Sequence, residues 1–239
     1  MAYYIGLDLG QSADFTALAV VQSENEINGK GTSKKRLRLR HLERYPLRTP
    51  YTNIADGVAA LMRSPALTAD EYNPARRRVS KSKLELLVDS TGVGRAVTDL
   101  LKSRGLRFKA VTLTGGSQVM RGDAGEYRVP KADVVDALVV PFQARTLKVA
   151  QGLVFWPTLR TELLNFRRKI NPATAHASYE HWRESDHDDL VLAAALAAWG
   201  AQRFPHAVPP DIRSLAAMSQ PSYWSGVGGS SLGRRSWRV

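Results

Sequence analysis

YYIGLDLGQSADFTALAVV, residues 3–21, is the stretch from which the rest of the chain is read. Two short apolar runs flank a turn made of Gly10, Gln11, Ser12, Ala13 and Asp14. Runs of this length, rich in aromatic and β-branched residues and bounded by turn formers, predict an antiparallel hairpin. Asp8 stands inside the first run, with Ile5, Leu7 and Leu9 alternating around it. A carboxylate in a core strand is costly unless something pairs with it, and both a metal ion and an arginine are suitable partners.

Working outward, residues 22–32 are polar and glycine-containing and read as a loop. KKRLRLRHLERY, residues 34–45, alternates Leu37, Leu39 and His41 against Arg36, Arg38 and Arg40, which predicts an exposed or edge strand. Residues 52–63 have helical spacing with Thr52 or Asn53 as cap, and residues 64–82 read as a loop carrying the basic run Arg76, Arg77, Arg78. KLELLVD, residues 83–89, is a strand that ends in a second carboxylate, Asp89. Gly92 and Gly94 follow it, either exposing backbone N–H groups to phosphate or permitting a tight turn. Then come a helix over 95–104, a strand over 106–113, an irregular glycine-rich connection over 114–128, and a helix opening at Pro130 and Lys131. Residues 153–156 look strand-like, 158–169 helical, and 171–183 loop-like. In ESDHDDLVLAAALAAWG, residues 184–200, Ser185 or Asp186 caps a nearly apolar helix whose first turn holds Asp188 and Asp189. The expected division is a folded core over 1–204 and a flexible basic Pro/Ser/Gly-rich tail over 205–239.

Composition sets the class. The net charge of +12 and pI of about 10.2 point to a polyanionic partner, nucleic acid before membrane. The chain has no cysteine, which excludes disulfides and thiolate-bound zinc. The start runs directly into a strand without a secretory signal, and the longest apolar run is too short for a bilayer, so a cytoplasmic protein is expected.

The order of elements, with Asp8 mid-strand, Asp89 at a strand end and Asp188 with Asp189 at a helix start, is that of an α/β ribonuclease H-like mixed sheet flanked by helices. In that arrangement the three positions converge. Oxygen donors in this number suit Mg²⁺ or Mn²⁺, and two such ions can cleave a phosphodiester. Helix capping is the alternative use of Asp188 and Asp189.

GLDLGQSADFTALAVV, VDSTGVG, VPKADVVDALVV, ELLNFRRK and HDDLVLAAALA together resemble the nuclease domain of tailed-bacteriophage large terminase subunits. The resemblance covers most of residues 3–203. It implies an endonuclease that cuts double-stranded viral DNA during genome packaging, with Asp8, Asp89 and Asp188 as metal ligands, Asp189 assisting, and a role for Asp14 left open. It also implies a packaging ATPase, a small terminase subunit and a portal as partners, in the host cytoplasm. No G-x-x-x-x-G-K-[ST] is present, so the motor is expected on another domain or chain. Arg76, Arg77, Arg78, Lys131, Arg167, Arg168 and Lys169 are the candidate DNA contacts. A Holliday-junction resolvase, a non-catalytic DNA-binding module and an actin-like or sugar-kinase ATPase fragment share parts of the pattern.

Overall fold

The opening hairpin forms as its alternation requires. β1 (Ala2–Asp8) and β2 (Ala17–Ile27) pair antiparallel from Ala2↔Ser23 to Asp8↔Ala17. They belong to a computed structural model describing residues 1–10, 14–27, 33–69, 71–73, 78–80, 82–92, 94–169 and 187–205. Gly10 N–H donates to Thr16 Oγ1 at 3.1 Å. A Cβ on Gly10 would lie 2.3 Å from the Asp14 carbonyl oxygen, so the turn admits only glycine without backbone movement.

The chain continues through β3 (Ser33–Arg44), α1 (Tyr51–Arg63), α2 (Pro65–Thr68), β4 (Glu71–Asn73), β5 (Arg78–Ser80) and β6 (Lys83–Asp89). Then come α3 (Gly94–Ser103), β7 (Lys109–Thr114), β8 (Met120–Arg121), a 3-10 turn at Asp123–Gly125 and β9 (Glu126–Pro130). α4 (Lys131–Gln143), β10 (Leu147–Val149), α5 (Trp156–Lys169) and α6 (Asp189–Arg203) complete it. Eight strands form one mixed sheet in the order β10-β3-β2-β1-β6-β7-β9-β8, while β4 and β5 make a separate small hairpin. β2 is antiparallel to both neighbours, whereas β1, β6, β7 and β9 run parallel. The run β3-β2-β1-β6-β7 is the ribonuclease H-like arrangement expected from the sequence, and the described residues all fall within one unit, Met1–Ala207. The tail after residue 205 lies outside the described residues.

Several local expectations give way to tertiary pairing. β2 extends to Ile27, where a loop is predicted, because Glu24 and its neighbours find partners on β3, with Glu24 also ion-paired to Arg38. β3 is an interior strand rather than an edge, since β10 pairs with it in parallel from Leu147↔Leu37. The register slips between Val20 and Val21, so that Val20 faces His41 and Val21 faces Leu39. That bulge turns Leu42 into the core after Leu37 and Leu39 and leaves His41 half-buried. Residues 64–82 hold α2 and the small hairpin, α1 starts behind Pro50 without a side-chain cap, and residues 153–156 turn into α5 rather than a strand. The connection over 114–128 contributes β8 and most of β9, whose Tyr127 and Val129 alternate into the core.

α6 is buried along nearly its whole length because no side of it is polar. It lies on β1, β2 and β6 on one side and is covered by α4 and α5 on the other. Small residues make the contact close. A Cβ on Gly6 would lie 2.0 Å from the Ala193 carbonyl oxygen, and one on Gly200 would meet Leu87 at 2.5 Å. Tyr4 OH donates to the Phe204 carbonyl oxygen at 2.6 Å. These pairings orient α6 antiparallel to β1, with its N-terminus over the C-terminal ends of β1 and β6. The opposite sheet face buries Ile5, Leu7, Leu18 and Val20 against α1 and against Leu101 of α3. Among the described residues no helix is long and apolar enough to cross a membrane.

Candidate active site

The register that pairs Leu7 with Val88 brings the next residues, Asp8 and Asp89, to adjoining strand ends. Each lies two residues beyond one that touches α6: Gly6 beneath Ala193 and Leu87 beneath Gly200. Period two therefore directs both carboxylates to the face that α6 covers. Asp188 and Asp189 enter the same region from the start of α6. Asp188 is the N-cap residue but makes no side-chain capping bond. Its Oδ2 instead accepts from Lys131 Nζ at 3.1 Å. The cap thus falls on Asp188, and the predicted caps Ser185 and Asp186 lie outside the described residues.

Burial pushes the Asp8 carboxyl well above its ordinary range, and the charges of Asp89, Asp188 and Asp189 push it further, against the opposing pull of Lys131. Burial also raises Asp89, which is 6% exposed. Thr91 N–H, donating to Asp89 Oδ1 at 2.7 Å, works against that rise. Gly92, with φ of 77°, lets the chain turn directly after this contact.

Asp189 has a different environment from Asp188. Arg44, the last residue of β3, donates from Nε to Asp189 Oδ2 and from Nη2 to Asp189 Oδ1, both at 2.7 Å. The same guanidinium is ion-paired to Glu162 of α5, and Glu162 Oε2 accepts from Val191 N–H at 3.1 Å. Arg44 also lies over the Phe15 ring, 4.6 Å from its centroid, and Phe15 meets His187 edge-on at 4.9 Å. Glu162 thereby satisfies an otherwise unpaired N–H in the first turn of α6. One cation serves two buried carboxylates, so burial and the Asp189 charge outweigh Arg44 and push Glu162 up to about 8. Arg44 and Glu162 are not among the candidate residues that the sequence motifs mark. The available signals were a charged residue ending a sheet strand and a glutamate among the apolar positions of a helix.

A raised carboxyl holds its proton more tightly in the folded chain than in the unfolded one. The stability tied to Glu162 is therefore complete below its unfolded value near 4.5 and is lost as pH rises to about 8. Asp8, Asp89 and Asp189 shift in the same direction. Thermal unfolding in EDTA should show a midpoint that falls across this window. A midpoint that rises from pH 5 to 8 contradicts the charge balance described here.

Among the described residues no three His, Cys, Asp or Glu side chains form a ready-made metal cage. The donor chemistry nevertheless fits a hard divalent cation. Asp8, Asp89 and Asp188 offer only carboxylate oxygens and act on one another electrostatically, and Lys131 is the cation that offsets Asp8 and Asp89.

The remaining candidate residues divide by position. Asp14 is exposed on the turn before β2. Lys131 belongs to the acidic cluster. Arg78 lies in β5, and Arg167, Arg168 and Lys169 lie in the last turn of α5, with side chains beyond what is described. Arg76 and Arg77 lie outside the described residues.

No protein-family model and no curated protein sequence matches the chain. Among solved structures it is similar to the large terminase nuclease from thermophilic phage G20c, with 17% identity over 84% of this chain and 82% of that one, at a TM-score of 0.46. It is also similar to the human cytomegalovirus terminase nuclease domain, determined Mn-soaked and inhibitor-bound, with 16% identity over 85% and 84% and a TM-score of 0.45. RuvC of Thermus thermophilus follows, at 17% identity over 84% and 95% with a TM-score of 0.32.

Proposed function

We propose that the chain is a divalent-metal-dependent endonuclease that cuts double-stranded DNA, with Asp8, Asp89 and Asp188 holding the ions. The observation that carries this reading is the gathering of these three carboxylates at one sheet end, each from a different element, with more negative charge than Lys131 can offset. A structural role would call for arginine partners, as Asp189 has in Arg44.

Mg²⁺ or Mn²⁺ held by Asp8, Asp89 and Asp188, two ions in this reading, would supply the Lewis acidity for activating water and offsetting charge on the leaving oxygen. The chain's own residues do the rest. Asp8 and Asp89 fix two donors on rigid strand ends, and Asp188 adds a third from the helix start. Asp189, Arg44 and Glu162 lock that helix start to β3 and α5, so Asp188 keeps its position. The basic excess draws in the DNA backbone by counterion release, and Arg78, Arg167, Arg168 and Lys169 are candidate contacts together with Arg76 and Arg77.

The sequence resemblance extends this to cutting viral DNA during packaging in the host cytoplasm. The packaging ATPase, small terminase subunit and portal would be the partners in that setting, with residues 1–204 as the nuclease and the remainder as a tail.

The test is incubation of the purified chain with supercoiled plasmid in Mg²⁺, Mn²⁺ or EDTA. Nicked and linear products should form with either metal and vanish in EDTA. Their yield should climb from acid to alkaline pH as the raised carboxyls ionise. Intact plasmid in both metals, alongside ATP hydrolysis in the absence of DNA, would overturn the reading.

A further inference from the structure

We infer that Lys131 is a built-in counterion of the acidic site, holding the carboxylates in place in the metal-free protein and yielding its contact when a divalent cation binds. The inference rests on the metal-dependent reading above and adds to it a role for one residue.

Lys131 Nζ lies 3.1 Å from Asp188 Oδ2, and both side chains are largely covered, at 22% and 24% exposed. The position of Lys131 in its own helix makes this contact informative. It is the first residue of α4, directly behind Pro130, which offers no side-chain cap. A cation there opposes the helix dipole, so the local helix gives no reason for a lysine. β9 and α4 bring it instead to Asp188, where its charge also acts on Asp8 and Asp89. Arg44 is not available for that duty, being committed to Asp189 and Glu162.

Charge balance says why the contact should be temporary. Among the described residues, three ionised carboxylates against one ammonium leave two negative charges, the charge of one divalent ion. A second ion would make Lys131 surplus, and its flexible four-carbon stem lets the head swing away without moving α4. A backbone phosphate brought in with DNA is a chemically suitable new partner for the released ammonium.

The experiment compares the parent chain with Lys131→Met, which keeps the stem, and Lys131→Arg, which keeps the charge. Thermal unfolding is followed in EDTA at alkaline pH, and Mn²⁺ is then titrated by calorimetry. Lys131→Met should unfold below the parent in EDTA, gain more from Mn²⁺ than the parent, and bind Mn²⁺ about tenfold more tightly, because a positive charge beside the ion is gone. Lys131→Arg should stay close to the parent in EDTA. If Lys131→Met folds only when Mn²⁺ is added, the inference is supported, and if it folds in neither condition the inference fails. Equal midpoints in EDTA, or equal Mn²⁺ affinities, sink the counterion role while leaving the metal reading intact. A parent chain with no response to Mn²⁺ overturns both.

Discussion

The Asp8→Asn chain should cut plasmid at least about a hundredfold more slowly than the parent in Mg²⁺ or Mn²⁺, while unfolding at the same temperature or higher. Residues that merely support a metal ligand already cost about 10–100-fold when removed, and Asp8 is proposed as a ligand itself. The stability half follows from the physics of the metal-free site. Burial and three neighbouring carboxylates all disfavour the charged form of Asp8. An amide of the same shape removes that charge and leaves the packing of Leu7 and Leu9 unchanged. Asp89→Asn should behave alike in cutting. Its stability gain should be smaller, since Thr91 N–H already donates to the Asp89 carboxylate. Activity, unfolding midpoint and Mn²⁺ binding measured on the same preparations check this. An Asp8→Asn protein that still cuts well removes Asp8 from the chemistry. One that loses activity only because it unfolds removes the argument about repulsion.

Loss of Arg44 should be the most damaging single change to stability outside the sheet's apolar core. Its guanidinium carries two hydrogen bonds to Asp189 and an ion pair to Glu162, and both carboxylates are only 6% exposed at the side chain. Above pH 8, where Glu162 is ionised, truncation to alanine strands two buried acids, and breaking a buried pair in this way costs about 3–5 kcal/mol. In a domain of this size each kcal/mol corresponds to about 2–4 °C of the unfolding midpoint, so a fall of about 10 °C is expected. Glu162→Gln in the Arg44→Ala background should recover part of the loss, because one of the two stranded charges is removed. The variant should also lose cutting, since the start of α6 and hence Asp188 is no longer tied to β3 and α5. A denaturation experiment giving less than about 1 kcal/mol for Arg44→Ala would show that water reaches the pair and that the lock is unimportant.

The opening hairpin, β3 as a strand, β6, β7, α1, α3, α4, α5 and α6 were legible in the chain because each rests on a local pattern. Alternation around Asp8, the apolar run closing on Asp89 and the unbroken apolar stretch after Asp189 depend on neighbours a few residues away. That Asp8, Asp89 and Asp188 lie near enough to act on one another electrostatically follows from element order, which already constrains which strand ends meet. Tertiary structure alone decided the rest. Whether residues 22–27 form strand or loop depended on β3 supplying backbone partners and an arginine for Glu24. β3 became interior only because β10 returns from more than a hundred residues away. The different environments of Asp188 and Asp189 are invisible in the pair of letters. One turns to Lys131 and the other to Arg44, and those cations come from α4 and β3. Adjacent identical residues acquire separate chemistry because burial strengthens whichever charge the fold places beside each, and sequence neighbours do not determine which charge that is.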